Sequence, residues 1–159
     1  LKDNQVLLAS RPLRRFLETT EIIRKTLGSD TKILIVEDLT ETDMGSFSGR
    51  TLIQIRSEFG DLIDAWAHTP EKFSFPAGES YDQVRKRVVK GFHKLLEEAN
   101  DWQFIFLCTH VDVIKMILAN ALSFSFNMRR YIAIPNGSIS ILDIGQNGEI
   151  TVEGINVLV

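Results

Sequence analysis

Phe104-Ile-Phe-Leu-Cys-Thr-His-Val-Asp-Val-Ile-Lys-Met-Ile-Leu-Ala-Asn-Ala121 carries two periodicities in succession. The run Phe104–Cys108 is unbroken by any charge and stops at Thr109-His110, the pattern of a strand buried on both faces in the middle of a parallel sheet. From Val113 the period changes: Val113, Ile114, Ile117, Leu118 and Ala121 recur at spacings of three and four, the apolar stripe of a helix packed on that sheet. His110 is thereby expected at the carboxyl end of a core strand and the mouth of a helix, where α/β sheets gather ligands. The amides of Val111 and Asp112 point outward there with the positive end of the helix dipole. An imidazole beside free amides suits an anion. A cap or a satisfied hinge histidine fits the same stretch, and the stretch alone leaves both open.

Working outward, the 159 residues are enough for one domain with a sizeable core, and 44% apolar with 25% charged residues describes an ordinary globular chain. A net charge of −3 offers no footprint for nucleic acid or a membrane surface. No apolar run approaches the ~20 residues of a membrane span, and no signal-peptide pattern is present, so the cytoplasm is the expected location. Cys108 is the one cysteine, which excludes a disulfide framework and a thiol–metal cluster and leaves a small buried hydrophobe.

Along the chain, strands and helices alternate. Gln5–Ala9 reads as a strand, and a helix runs from Pro12 through Leu13, Phe16, Leu17, Thr20, Ile23 and Leu27 to a stop at Gly28. Lys32–Val36 reads as a second strand leading into an acidic loop that ends at Gly45. Shorter helices are expected over Thr51–Phe59 and Asp61–His68, then a loop with Pro70, Pro76 and Gly78. Tyr81–Ala99 is the clearest helix, with Val84, Val88, Phe92, Leu95 and Leu96 on one face. Tyr131–Ile134 and Ser138–Asp143 read as strands around Pro135-Asn-Gly137, and Thr151–Val157 pairs with the latter through Gly145–Gly148. The fold class is α/β, a three-layer sandwich with a largely parallel central sheet and helices on both faces.

Three chemical features stand apart from this scaffold. Arg11, Arg14 and Arg15 follow the first strand, where an arginine can grip a phosphate; Arg11 and Arg14 read as a solvated basic helix start. Glu41 lies in the loop after the second strand, either solvated or, if partly buried, fit for proton transfer. His110 is the third. Each follows a strand's carboxyl end, and such ends share one rim of a sheet, so Arg15, Glu41 and His110 are expected in one pocket although they lie 26 and 69 residues apart.

Five stretches carry a family resemblance. Ser10-Arg-Pro-Leu-Arg-Arg-Phe-Leu-Glu-Thr-Thr-Glu-Ile-Ile23 resembles the Ser-Pro-Leu-x-Arg-Ala-x-x-Thr-Ala-Glu segment of the histidine phosphatase superfamily, the phosphoglycerate-mutase-like proteins, with Arg15 on its arginine and Thr19 on its threonine. Leu39-Thr-Glu-Thr-Asp-Met-Gly-Ser-Phe-Ser-Gly49 is similar to Leu-x-Glu-x-x-x-Gly-x-Trp-x-Gly, which puts Glu41 on the acidic residue. Phe75-Pro-Ala-Gly-Glu-Ser80 with Arg87, Cys108-Thr-His-Val-Asp-Val-Ile-Lys115 and Asn136-Gly-Ser-Ile-Ser140 resemble the three that come next in order. Two departures stand out. The family's Arg-His-Gly strand, whose histidine accepts the phosphoryl group, is not in these 159 residues, and neither His68 nor His93 is followed by glycine at a strand end. Val111 and Asp112 replace small residues and narrow the pocket around the leaving group.

The resemblance implies a single domain over 1–159, N-terminally incomplete, with a cap or insert at about 50–80, and a phosphomonoester hydrolase acting through a phosphohistidine. It implies that Arg15, Glu41 and His110 are catalytic, that Ser10 and Val111 bind substrate, and that neither metal nor cofactor is required. Arg15 and His110 hold the phosphoryl oxygens, while Glu41 protonates the leaving alkoxide and then activates water. The compact Glu41–Glu79 interval favours hydrolysis over the mutase-type phosphotransfer. The expected partner is a small phosphorylated substrate, with a homodimer left open and neither nucleic acid nor membrane. A non-catalytic phospho-ligand-binding member of the fold is the rival reading; a nucleotide-binding domain ranks last, since no glycine-rich fingerprint follows any strand. Phe59, Trp66, Phe73 and Phe75 fit either an apolar wall for the leaving group or core packing. With the family's first strand missing beside Phe104–Cys108, residues 1–159 are not expected to fold alone as a monomer: another segment should fill the slot, or the sheet should re-pair around it.

Overall fold

The structure, a computed structural model, describes residues 5–157. The chain divides into two compact units, one drawn from Leu1–Glu41 and Arg87–Val113, the other from Thr42–Lys86 and Ile114–Val159.

The first unit is built on a parallel sheet. Strand β1 (Val6–Ser10) is flanked by β2 (Leu34–Ile35) and β3 (Phe104–Cys108) in the order β2-β1-β3. β1 is the central strand of the three, with Leu8, Ala9 and Ser10 fully buried. A leucine so placed contributes about 1.5–3 kcal/mol relative to exposure. Among the described residues β3 is bonded on one side only, to β1, and where the sequence pattern predicts a buried strand its residues are half-buried, with Phe104 55% exposed. An apolar run reports only that side chains pack on the sheet faces. It does not count the strands bonded beside it. Among the described residues neither a further strand nor a re-paired sheet covers the other edge of β3.

Helix α1 (Arg14–Thr26) joins β1 to β2, the crossover that two parallel neighbours require. Its last turn closes where Ser29 N–H reaches back to the Arg24 carbonyl at 3.1 Å. The second strand is shorter than Lys32–Val36 predicts. Pairing with β1 holds over two residues, and a 3₁₀ turn then takes up Glu37–Leu39, with Leu39 fully buried as its plug. Helix α4 (Tyr81–Glu98) gives this unit Val88, Phe92 and Leu95, all buried and spaced by three and four.

The second unit packs around aromatic rings. Helices α2 (Leu52–Phe59) and α3 (Leu62–His68) belong to it, and α2 starts on a reciprocal cap in which the Thr51 hydroxyl accepts from Gln54 N–H and the Gln54 side chain accepts from Thr51 N–H. Phe47, 2% exposed, touches the rings of Phe59, Trp66, Phe73 and Phe75 at centroid distances of 5.0–6.1 Å. Gly45 lets two loops of this unit meet backbone to backbone, since a Cβ there would fall 2.2 Å from the Pro76 carbonyl oxygen. Helix α5 (Val111–Ala121) comes directly after β3. The expected strand at Tyr131–Ile134 is absent: a 3₁₀ turn opened by the Ser125 hydroxyl takes Phe126–Tyr131, leaving Tyr131 68% exposed and too few residues before Pro135, which has no N–H, to build a ladder. Strands β4 (Ile139–Ile144) and β5 (Ile150–Val157) form the antiparallel hairpin that the Gly145–Gly148 turn predicts.

Candidate functional site

Register builds the site. Ser10 of β1 stands opposite Ile35 of β2 and Cys108 of β3, so the three parallel strands stop level with one another. The residues just past each stop therefore share one rim: Arg11 to Arg15, Glu37 to Glu41, and Thr109 with His110. All belong to the first unit.

There the structure joins Arg15, His110 and Glu41 in one line. Arg15 Nη2 lies 3.0 Å from His110 Nε2, and His110 Nδ1 lies 2.8 Å from Glu41 Oε2. A guanidinium can only donate, so Nε2 accepts from Arg15 and the ring proton is on Nδ1, facing the carboxylate. The Glu41 carboxylate and His110 ring are 30% and 13% exposed, open enough for a solute to reach. Phe16, from the first turn of α1, lies against the imidazole at a centroid distance of 4.4 Å and carries the Arg15 guanidinium 4.9 Å from its ring centre.

The Glu41 loop is held by its backbone. Thr109 Oγ1 donates to the Leu39 carbonyl at 2.8 Å. From α4, Arg87 Nη1 donates to the carbonyls of Asp38 and Thr40 at 2.8 and 3.0 Å and to Thr40 Oγ1 at 3.1 Å, and Nη2 reaches the Glu41 carbonyl at 3.4 Å. One turn on, Gly91 clears space for the loop: a Cβ there would stand 2.4 Å from Asp38 Cβ. Sequence reasoning assigns no role to Arg87. The signal available is its place in the Glu-Ser…Arg resemblance.

Arg14 is solvated, as read from sequence: its side chain is 91% exposed and pairs with Glu18. Arg11 is not. It is 7% exposed, its Cζ stands 5.3 Å from the Phe16 ring centre, and its Nε and Nη1 have no hydrogen-bond partner among the described residues. Burial, and after it the charge of Arg15, holds its pKa below the usual arginine value, with Glu41 opposing. The solvated reading of Arg11 fails because Phe16 folds back over the rim, with its ring centre 5.3 Å from the Arg11 guanidinium. Ser10 is fully buried, with its hydroxyl donating to the Arg11 carbonyl at 3.1 Å. Val111 opens α5 and is 38% exposed. Phe73 and Phe75 are core residues, and Trp66 donates to the Tyr81 hydroxyl at 3.0 Å. The Nδ1 of His68 lies 2.8 Å from the Asp64 carbonyl, and His93 stands against Phe92. Burial raises the Cys108 thiol pKa, against a hydrogen bond from Thr20. No helix among the described residues is long and apolar enough to cross a membrane.

Comparison with known proteins extends this picture. YhfR of Bacillus stearothermophilus superposes with a TM-score of 0.84 at 21% identity, over 96% of this chain and 73% of that one. The alpha-ribazole phosphatase of Shigella flexneri gives 0.81 at 21% identity, over 95% and 73%. Both likenesses show the phosphoglycerate-mutase-like α/β fold. A bifunctional protein of Mycobacterium tuberculosis is 27% identical over 149 residues, which are 94% of this chain but 40% of that protein's length. The family model of the histidine phosphatase superfamily, branch 1, matches residues 2–157, and the chain belongs to that superfamily.

Proposed function

We propose that this chain carries the phosphate-binding and proton-transfer residues of a phosphomonoester hydrolase that works through a phosphohistidine, with the attacking histidine supplied by sequence outside these 159 residues. The observation that carries the reading is the line Arg15–His110–Glu41 at 3.0 and 2.8 Å on one rim of a parallel sheet. Phosphatase names among the structural relatives support the reaction class.

The chemistry comes from the donors. A histidine nitrogen attacks phosphorus and the P–O bond to the leaving group breaks, while Arg15 turns from His110 to the non-bridging oxygens and His110, with a proton on Nε2 as well as Nδ1, donates to them and stabilises their charge. Glu41, protonated on Oε1 while Oε2 still accepts from His110, gives that proton to the departing alkoxide. The resulting carboxylate then takes a proton from water as water attacks the phosphorus and the P–N bond breaks, which returns free phosphate and the histidine. Charge neutralisation by cationic side chains makes a metal unnecessary to this scheme. The substrate is a small phosphomonoester. Hydrolysis is favoured over transfer to a second hydroxyl by the short interval between Glu41 and Glu79.

The test is His110→Ala in the full-length protein, assayed on a phosphomonoester. Activity should fall by at least ~100-fold, as expected for losing a group that stabilises transition-state charge. Activity within a few-fold of wild type would refute the role given to His110. Tight phosphoester binding with no turnover in the unsubstituted protein would favour the non-catalytic alternative.

A further inference from the structure

We propose that Arg11 is a second guanidinium ligand for the anion taken by this site, held ready for it by the face of Phe16. The inference rests on the phosphate reading above and adds a residue to it.

The three guanidiniums of the site are spent differently. Arg87 gives its Nη atoms to the backbone of the Glu41 loop, and Arg15 gives Nη2 to His110. Arg11 keeps two buried nitrogens, Nε and Nη1, with no acceptor among the described residues, although the residue is 7% exposed. A buried charged donor without an acceptor is among the more costly features a fold can keep. Its surroundings do not make it a structural ion pair. Arg15 and Arg87 are of like sign, and Glu41, the opposing charge near it, accepts from His110 Nδ1 at 2.8 Å.

Two contacts hold Arg11 in place. Its backbone is fixed where the Ser10 hydroxyl donates to its carbonyl at 3.1 Å. Its guanidinium rests 5.3 Å from the centre of the Phe16 ring, which also carries Arg15 at 4.9 Å and touches His110. In the segment that Ser10–Ile23 resembles, these two positions are serine and alanine. An anion seated against Arg15 and His110 lies within reach of the same aromatic platform and would supply the acceptor that Nε and Nη1 lack. A dianionic phosphate monoester, with three non-bridging oxygens, can satisfy all three groups at once, whereas a diester cannot carry the second charge.

The experiment is titration of inorganic phosphate into the full-length protein, unsubstituted and as Arg11→Met, Arg11→Lys and Arg14→Met, with thermal unfolding of each in the absence of phosphate. Arg11→Met should weaken phosphate binding by at least about tenfold, the loss expected for hydrogen bonds from a charged donor. Its ligand-free midpoint should hold or rise, because a buried unsatisfied charge has gone. Arg14→Met should change neither quantity. Should Arg11→Met fail to fold, Arg11→Lys decides: a several-fold loss of affinity supports the proposal, since an ammonium neither stacks on Phe16 nor donates from two nitrogens, and wild-type affinity overturns it. Phosphate affinity within about twofold of wild type in Arg11→Met, with a lowered midpoint, would make Arg11 a structural residue and leave the phosphatase reading intact. No saturable phosphate binding by the unsubstituted protein would overturn both.

Discussion

Gly91→Ala adds one methyl group, and it should act on Glu41 without touching it. The new Cβ would be 2.4 Å from Asp38 Cβ and 3.4 Å from the Asp38 carbonyl carbon. Carbon atoms rest about 3.5–4.0 Å apart, so Asp38 must retreat by about 1 Å or more. Asp38 is the residue whose carbonyl accepts from Arg87 at 2.8 Å, and Thr40, with a 3.0 Å bond to the same nitrogen, is two residues on. A retreat of that size carries both bonds past the ~3.2 Å limit of an ordinary N–H···O contact. Glu41 moves with its loop, and its 2.8 Å contact to His110 opens. Misplacing a reacting group by about 1 Å can lower the rate by about 100-fold. Overpacking adds about 1–3 kcal/mol of destabilisation, read as about 2–4 °C of melting midpoint per kcal/mol in a chain of this size. The assay is steady-state hydrolysis of an alkyl phosphomonoester by the full-length protein, because a poor leaving group needs the Glu41 proton. We expect kcat to fall by about two orders of magnitude with phosphate affinity nearly unchanged, since Arg15, on α1, and Arg11, ahead of it, lie outside the Glu41 loop. A kcat within a few-fold of wild type, in a protein whose midpoint has dropped, would show that Glu41 does not depend on this socket.

Two further outcomes concern packing and reactivity. Phe47→Ala removes the ring on which four other aromatic rings converge and should cost about 3–5 kcal/mol, measured by denaturant unfolding; a loss below about 1 kcal/mol would mean the cluster closes over the gap. Cys108 should resist iodoacetamide at pH 8 in the folded protein and react on unfolding, because burial raises its thiol pKa and keeps the thiolate scarce; rapid labelling of the native state would contradict that.

Arg15, Glu41 and His110 are legible because each stands beyond an apolar run, and parallel strands deliver the residues past their carboxyl ends to a common rim. The level ending of those strands, with Ser10 opposite both Ile35 and Cys108, is not legible, since pairing register joins residues about 25 and 98 positions apart and leaves no local mark. Arg87 is hidden for the same reason. Its acceptors lie 46 to 49 positions away in sequence, on a loop whose own residues look merely acidic. Arg11 is misleading because a charge next to Pro12 looks solvated, and its burial depends on a ring five positions on turning back over it. For β3, apolarity reveals the strand but not its neighbours. Tyr131–Ile134 has strand composition without a partner to bond.

The outer edge of β3 sets a chemical requirement on whatever lies beside it. Phe104–Cys108 offers to that side a row of alternating amide donors and carbonyl acceptors which no strand among the described residues answers. Side chains cannot answer such a row in regular order; another extended backbone can. The edge is thus a one-sided template, selective for main-chain geometry and almost indifferent to sequence. Between copies of the chain, its pairing would grow with the square of concentration, whereas a strand tethered to the same polypeptide would occupy it at a fixed and much higher effective concentration.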